Sequence, residues 1–216
     1  MLDLVRELTH VDFALPQDIE GNAECKKFYR ERPPGRTLIL DNGAFELHYP
    51  YSCKKLIEIA ISVRADYVVP PDMVRDRRFT EDALVQFLKL LDAFGLSGKL
   101  KVAPVVAGEN LKDLVECYKA YHLWPEIDLF CMPIGAGRSE ALTRLAEGDC
   151  IDKKRPHHLL GFKSRGEFKA CYSMLKGVPF VGVDTRKPVS AAFGDMHLDD
   201  RGRGAYLKAP LGATGL

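Results

Sequence analysis

The chain lacks paired cysteines. Its six, Cys25, Cys53, Cys117, Cys131, Cys150 and Cys171, are scattered singly with no Cys-x-x-Cys, so neither a zinc knuckle nor a disulfide framework is indicated. They read as reduced, mostly buried thiols. No apolar run approaches the ~20 residues of a membrane span, and the stretch Met1-Leu2-Asp3-Leu4-Val5-Arg6-Glu7 is too acidic for a signal peptide, so a cytoplasmic protein with no membrane partner is expected. Net charge is also nearly absent, at +1, which argues against coating nucleic acid by bulk attraction. No Gly-x-Gly-x-x-Gly follows a first strand, because Gly135-Ala136-Gly137 lacks the third glycine. Dinucleotide binding loses its main support.

What is present is an ordinary globular composition, 216 residues with 46% apolar and 28% charged, enough for one core and one domain spanning 1–216. Leu38-Ile39-Leu40 stops on Asp41-Asn42-Gly43, as a buried parallel strand does where α/β folds place ligands. Asp41 is therefore a candidate catalytic acid. The same three residues also suit a plain turn. The pattern recurs: Asp66–Val69 ends at Pro70-Pro71-Asp72, Lys101–Val106 at Ala107-Gly108, Asp128–Ile134 at Gly135, His157–Leu160 at Gly161, and Pro179–Val183 at Asp184.

Helical spacing follows the first five of these six strands, over 52–64, 81–94, 111–118, 139–146 and 168–175, so strand and helix alternate from residue 38 to a sixth strand at Pro179–Val183. A short helix is expected over the first ten residues, a strand at Val11–Leu15, and loop over the polar, Gly- and Pro-containing 16–36. The alternation implies an α/β fold with a parallel sheet, closed or doubly wound. A compact (β/α)8 TIM-like barrel accounts for it best, with a poorly formed segment near His197-Leu198 supplying the eighth strand and one end irregular.

Basic residues cluster after several strands: Arg75 with Arg77 and Arg78, Lys153-Lys154-Arg155, Lys163 and Arg165, and Arg186-Lys187. On one face they form a phosphate-contacting surface; as separate loops they are only solvated charge. His157 and His158 have no acid-rich ligand spacing beside them and read as structural or phosphate-contacting, with no metal.

Asp41-Asn42-Gly43-Ala44-Phe45-Glu46 resembles the Asp-Ser-Gly-Gly-Phe/Tyr-Gln motif of the tRNA-guanine transglycosylases, barrel enzymes that exchange guanine for a 7-deazaguanine. Pro71-Asp72, Val105-Val106-Ala107-Gly108, Leu159-Leu160-Gly161 and Gly182-Val183-Asp184-Thr185 fall in that family's order, so the resemblance spans 38–190.

The resemblance implies Asp184 as nucleophile and Asp41 as the acid–base group, with Asn42, Phe45, Asp72, Gly108, Gly135 and Leu160 around the base. Asp72 would read the guanine edge, and Phe45 and Leu160 would sandwich its ring. Arg75, Lys163, Arg165, Arg186 and Lys187 would hold nucleic acid. The chemistry calls for no cofactor. Two departures matter: Ala107 replaces a glutamine, and no cysteine follows Cys171, so the family's zinc motif is missing. The first means that the contact to the guanine O6 must come from elsewhere; the second, in a chain far shorter than those enzymes, resembles the phage and bacterial DpdA-type branch, which inserts bases such as preQ0 into DNA, with tRNA the second choice. An N-glycoside hydrolase and a non-catalytic nucleic-acid binder remain the alternatives. The sequence leaves the oligomeric state open.

Overall fold

The computed structural model describes residues 10–135, 137–161, 164–184, 196–198 and 204–206. Seven parallel strands form two sheets. The first has the order β1 (Val11–Ala14), β2 (Thr37–Leu40), β3 (Tyr67–Val68), β4 (Lys101–Val102). The second has the order β5 (Phe130–Met132), β6 (His157–Leu160), β7 (Phe180–Asp184). Parallel bridges Val102 to Ile127 and Val105 to Cys131 join the two sheets. At the far edges β1 lies against β7, and Phe13 of β1 stacks on His158 of the central strand β6 with ring centroids 5.3 Å apart.

Eight helices are described: α1 (Pro16–Gly21), α2 (Ala23–Arg30), α3 (Ala44–Leu47), α4 (Cys53–Val63), α5 (Arg77–Ala93), α6 (Leu111–His122), α7 (Arg138–Glu147) and α8 (Arg165–Met174). Side-chain oxygens start most of them: Ser52, Asp76, Asn110 and Ser164 accept the backbone N–H of Lys55, Phe79, Asp113 and Glu167. None of the described helices is long and apolar enough to cross a membrane.

Two apolar clusters use the two faces of the strands. The larger joins strands to helices, through Leu38, Leu40, Leu56, Leu84, Phe130 and Leu142 among others. The smaller contains no helical residue. It collects Val11, Phe13, Ile39, Tyr67, Val69, Ala103, Val105, Leu129, Cys131, Leu160 and Val181, contributions from all seven parallel strands or the residues adjoining them. Strand alternation produces this division, since Ile39 faces one way and its neighbours Leu38 and Leu40 the other.

The sequence expectations need correction at three places. Residues 16–36 are not loop: they carry α1, with Pro16 in its first turn, and α2, whose Asn22 cap accepts from Glu24 and Cys25. The segment Met196–Leu198 is no eighth parallel strand, because it pairs antiparallel with β9 (Gly204–Tyr206) as β8 of a separate ribbon. Helix α5 begins at Arg77 rather than Glu81, since Asp76 provides its cap. The helix expected over the first ten residues lies outside the described residues.

Candidate active site

Asp41 follows β2 directly, and its backbone N–H still donates to Ala14 O at 2.9 Å, so the strand ladder carries the residue to the edge of the sheet. Alternation puts its side chain on the face of Ile39, toward the smaller cluster. Its carboxyl is pushed up to about 7, mainly by burial, against the pull of the Asn42 backbone N–H. The negative charges of Asp72, Glu46 and Asp184 add to the rise. Two other strand-end acids, Asp72 and Asp184, and Glu46 of α3 thus act on Asp41.

Asp72 is buried, with 9% of its surface exposed, and burial raises its carboxyl above the usual range against a hydrogen bond from Asn42. Asn42 Nδ2 donates to Asp72 Oδ1 at 2.6 Å and to Pro70 O at 2.7 Å, while its Oδ1 accepts from Ala44 N at 2.8 Å. Both amide hydrogens are used within the protein. Asn42 therefore holds Asp72 and the turn into α3 rather than presenting a free amide to a ligand. The turn is real as well, with Gly43 at φ +75°.

Asp184, the last residue of β7, stands opposite Leu160 in register. Its Oδ1 accepts from Gly161 N at 2.9 Å and lies 3.3 Å from His158 Nε2. Beneath the acids, the Cys131 thiol is fully buried and held neutral, its ionisation opposed first by burial and then by Asp41, Asp184 and Asp72. Leu160 packs half-buried on the smaller cluster, and its carbonyl accepts from Arg138 Nη1 at 2.9 Å. Phe45 is 62% exposed. It is an uncovered aromatic one turn from Asp41.

The two glycines differ. A Cβ on Gly108 would meet Leu114 N at 2.6 Å, so this glycine is required by the start of α6, whereas a Cβ on Gly135 would meet nothing within 4 Å. Arg75 is exposed in the loop after β3, with φ +66°. Lys163, Arg186 and Lys187 lie outside the described residues, as does the side chain of Arg165. Among the described residues, no three His, Cys, Asp or Glu side chains are grouped to hold a metal ion.

Sequence reasoning named His158 only as structural or phosphate-contacting and missed its place beside Asp184, as it missed Arg138 and Asn42's internal role. His158 stands two residues before Leu160, so alternation on β6 was the available signal for its facing Asp184. Neither histidine can meet a phosphate, because both are buried. His157 faces the helices, 2.7 Å from Tyr118 Oη, and burial pushes its imidazole down to about 4. Arg138 is fully buried, donating to Met132 O and Leu160 O and pairing with Glu167 at 2.7 Å.

Neither protein-family models nor curated proteins match this chain.

Proposed function

We propose that the chain is a guanine transglycosylase that replaces guanine in DNA with a 7-deazaguanine base such as preQ0. The scaffold fits a compact (β/α) barrel, since a helix-free face contributed by seven parallel strands packs on itself, the edge strand β1 lies against the edge strand β7, and Phe13 of β1 reaches across to stack on His158 of β6. The observation that carries the reading is the pairing of two unlike carboxyls at one end of the strands. Asp41 is partly buried, and that burial raises its carboxyl to about 7, while Asp184 is held at one oxygen by the Gly161 N–H. Acid–base work needs the first kind of group, and nucleophilic attack on an anomeric carbon needs the second.

The steps balance as a double displacement. Asp184 forms an ester bond to the anomeric carbon as the glycosidic C–N bond breaks, and the departing base takes its proton from Asp41. The incoming base then loses a proton to the Asp41 carboxylate and attacks the same carbon, releasing Asp184. Asp72 accepts hydrogen bonds from the guanine edge, and exposed Phe45 offers a stacking face. A base in a duplex hides that edge, so the substrate is engaged flipped out or single-stranded.

Nucleoside mass spectrometry of DNA and tRNA, from cells fed preQ0 with and without the protein, tests this. The modified base is expected in DNA only. Its appearance in tRNA alone would move the substrate to RNA, and guanine loss without replacement would make the protein an N-glycoside hydrolase. An unchanged nucleoside profile with the folded protein present would leave a non-catalytic binder.

A further inference from the structure

The path of β7 past β6 contains one extra residue. His157 pairs with Phe180 but His158 pairs with Gly182, so the register slips between them and β7 bulges at Val181. Phe180 and Val183 pack on the helix side, whereas Val181 packs in the smaller cluster. In an unbroken strand starting outward at Phe180, Asp184 would also face outward. The bulge reverses that parity and sets Asp184 beside Leu160.

The same slip sets Gly182 beside His158, where even an added Cβ would only reach Nδ1 at 3.9 Å. His158 is 1% exposed, with its ring nearly parallel to Phe13, at 5°. Its Nε2 lies 3.3 Å from Asp184 Oδ1, the oxygen that the Gly161 N–H already holds, although the ring is not aligned for a full hydrogen bond. Contacts of this kind tighten once substrate is bound.

We propose that His158 is a positioning residue for the nucleophile: with the Gly161 N–H it pins Oδ1 of Asp184, so that Oδ2 is the oxygen that attacks. This rests on the base-exchange reading above. With a proton on Nε2, the imidazole can donate to Oδ1 across the 3.3 Å separation once substrate aligns the pair. Oδ2 forms the bond to the anomeric carbon while the base leaves with the bonding electrons and the Asp41 proton. Phe13 and the bulge keep the ring from turning away.

The test is single-turnover formation of the covalent adduct on labelled DNA, read on denaturing gels, for wild type, His158→Phe and His158→Gln. His158→Phe keeps a flat ring against Phe13 but has no donor; His158→Gln restores an N–H. We expect His158→Phe to slow adduct formation about 10–100-fold at saturating DNA, with DNA affinity unchanged, and His158→Gln to recover part of the rate. His158→Phe as fast as wild type, or a folded His158→Gln as slow as His158→Phe, would overturn the proposal. Wild type forming no adduct would instead remove the base-exchange reading.

A second measurement is independent of activity and of whether His158→Phe folds. In nitrogen-labelled-histidine spectra, Asp184→Asn should shift one buried imidazole at Nε2. No imidazole shift in the folded variant would overturn the pairing itself.

Discussion

Asp41 is where burial and chemistry meet in one residue. Its carboxyl rises from an ordinary 3.8 to about 7 in the folded protein, so the folded state resists ionising it. Below the lower value both folded and unfolded chains hold the proton. As pH climbs toward about 7 the unfolded chain ionises first, and stability is lost across that window. Asp41→Asn should therefore be neutral in thermal melts in acid, yet more stable than wild type above neutrality by roughly 2–4 kcal/mol. Equal melting of the two proteins at pH 8 would show that the Asp41 carboxyl is not raised. The same variant should lose about 10²–10⁴-fold in base exchange, together with the decline of wild-type base release above about 7. Asp184→Asn should behave differently, forming no covalent band on a denaturing gel while folding normally, because an amide is a poor nucleophile of the same shape. A band that persists in folded Asp184→Asn would identify another nucleophile. These acids are legible in the sequence because each follows an apolar strand, directly or after prolines. Asn42 is legible only as a turn residue, since its bonds to Pro70 and Asp72 span about thirty positions.

Among the elements, the long amphipathic helices and the parallel order can be read from spacing alone, and β6 ends where its apolar run ends. Short elements are harder. Strands β3 and β4 each have two residues, because Pro70, Pro71 and Pro104 have no N–H to continue a ladder. Helix α2 buries no residue completely, so its apolar signal is weak and its cap carries most of the information. The bulge in β7 has no sequence signature at all, since it is a relation between two strands. Gly108 and Gly135 show how alike two strand-end glycines look and how differently they sit. Gly108→Ala would drive a methyl into the backbone of Leu114 and should destabilise the fold by about 1–3 kcal/mol, displacing the start of α6. Gly135→Ala should melt within about 0.5 kcal/mol of wild type, its new methyl pointing into open space. If Gly135 admits the base, that variant loses exchange without losing stability. Denaturant titrations of the pair decide this, and an unaffected Gly108→Ala would contradict the packing at α6.

Among the described residues, charge makes less of a basic face than the run of Arg and Lys implies. Arg32 pairs with Asp66, Arg36 with Asp12 and Arg138 with Glu167, at 2.9, 2.8 and 2.7 Å. Arg155 pairs with Asp152 and donates to the carbonyls of Trp124 and His122. These arginines are struts that close loops, and a guanidinium fork satisfies several carbonyls at once. Arg75 is different: it is exposed, and it stands in the loop that Asp72 opens. Nearby Arg77 is already paired with Glu81 at 2.6 Å. Phosphate contact should therefore depend on few side chains. If Arg75, Lys163 and Arg186 each neutralise one phosphate of a single strand, binding should weaken with salt at a log–log slope of about −2. Arg75→Ala should reduce that slope by about 0.7 and weaken binding to all DNA sequences alike, since a phosphate contact carries no base information. Arg77→Ala should change the slope less, because its charge is already answered by Glu81. Fluorescence anisotropy of a labelled oligonucleotide across a salt series measures all three proteins. A slope near zero for wild type, or affinity for a free nucleoside equal to that for the oligonucleotide, would mean that the polymer backbone is not part of what this protein recognises.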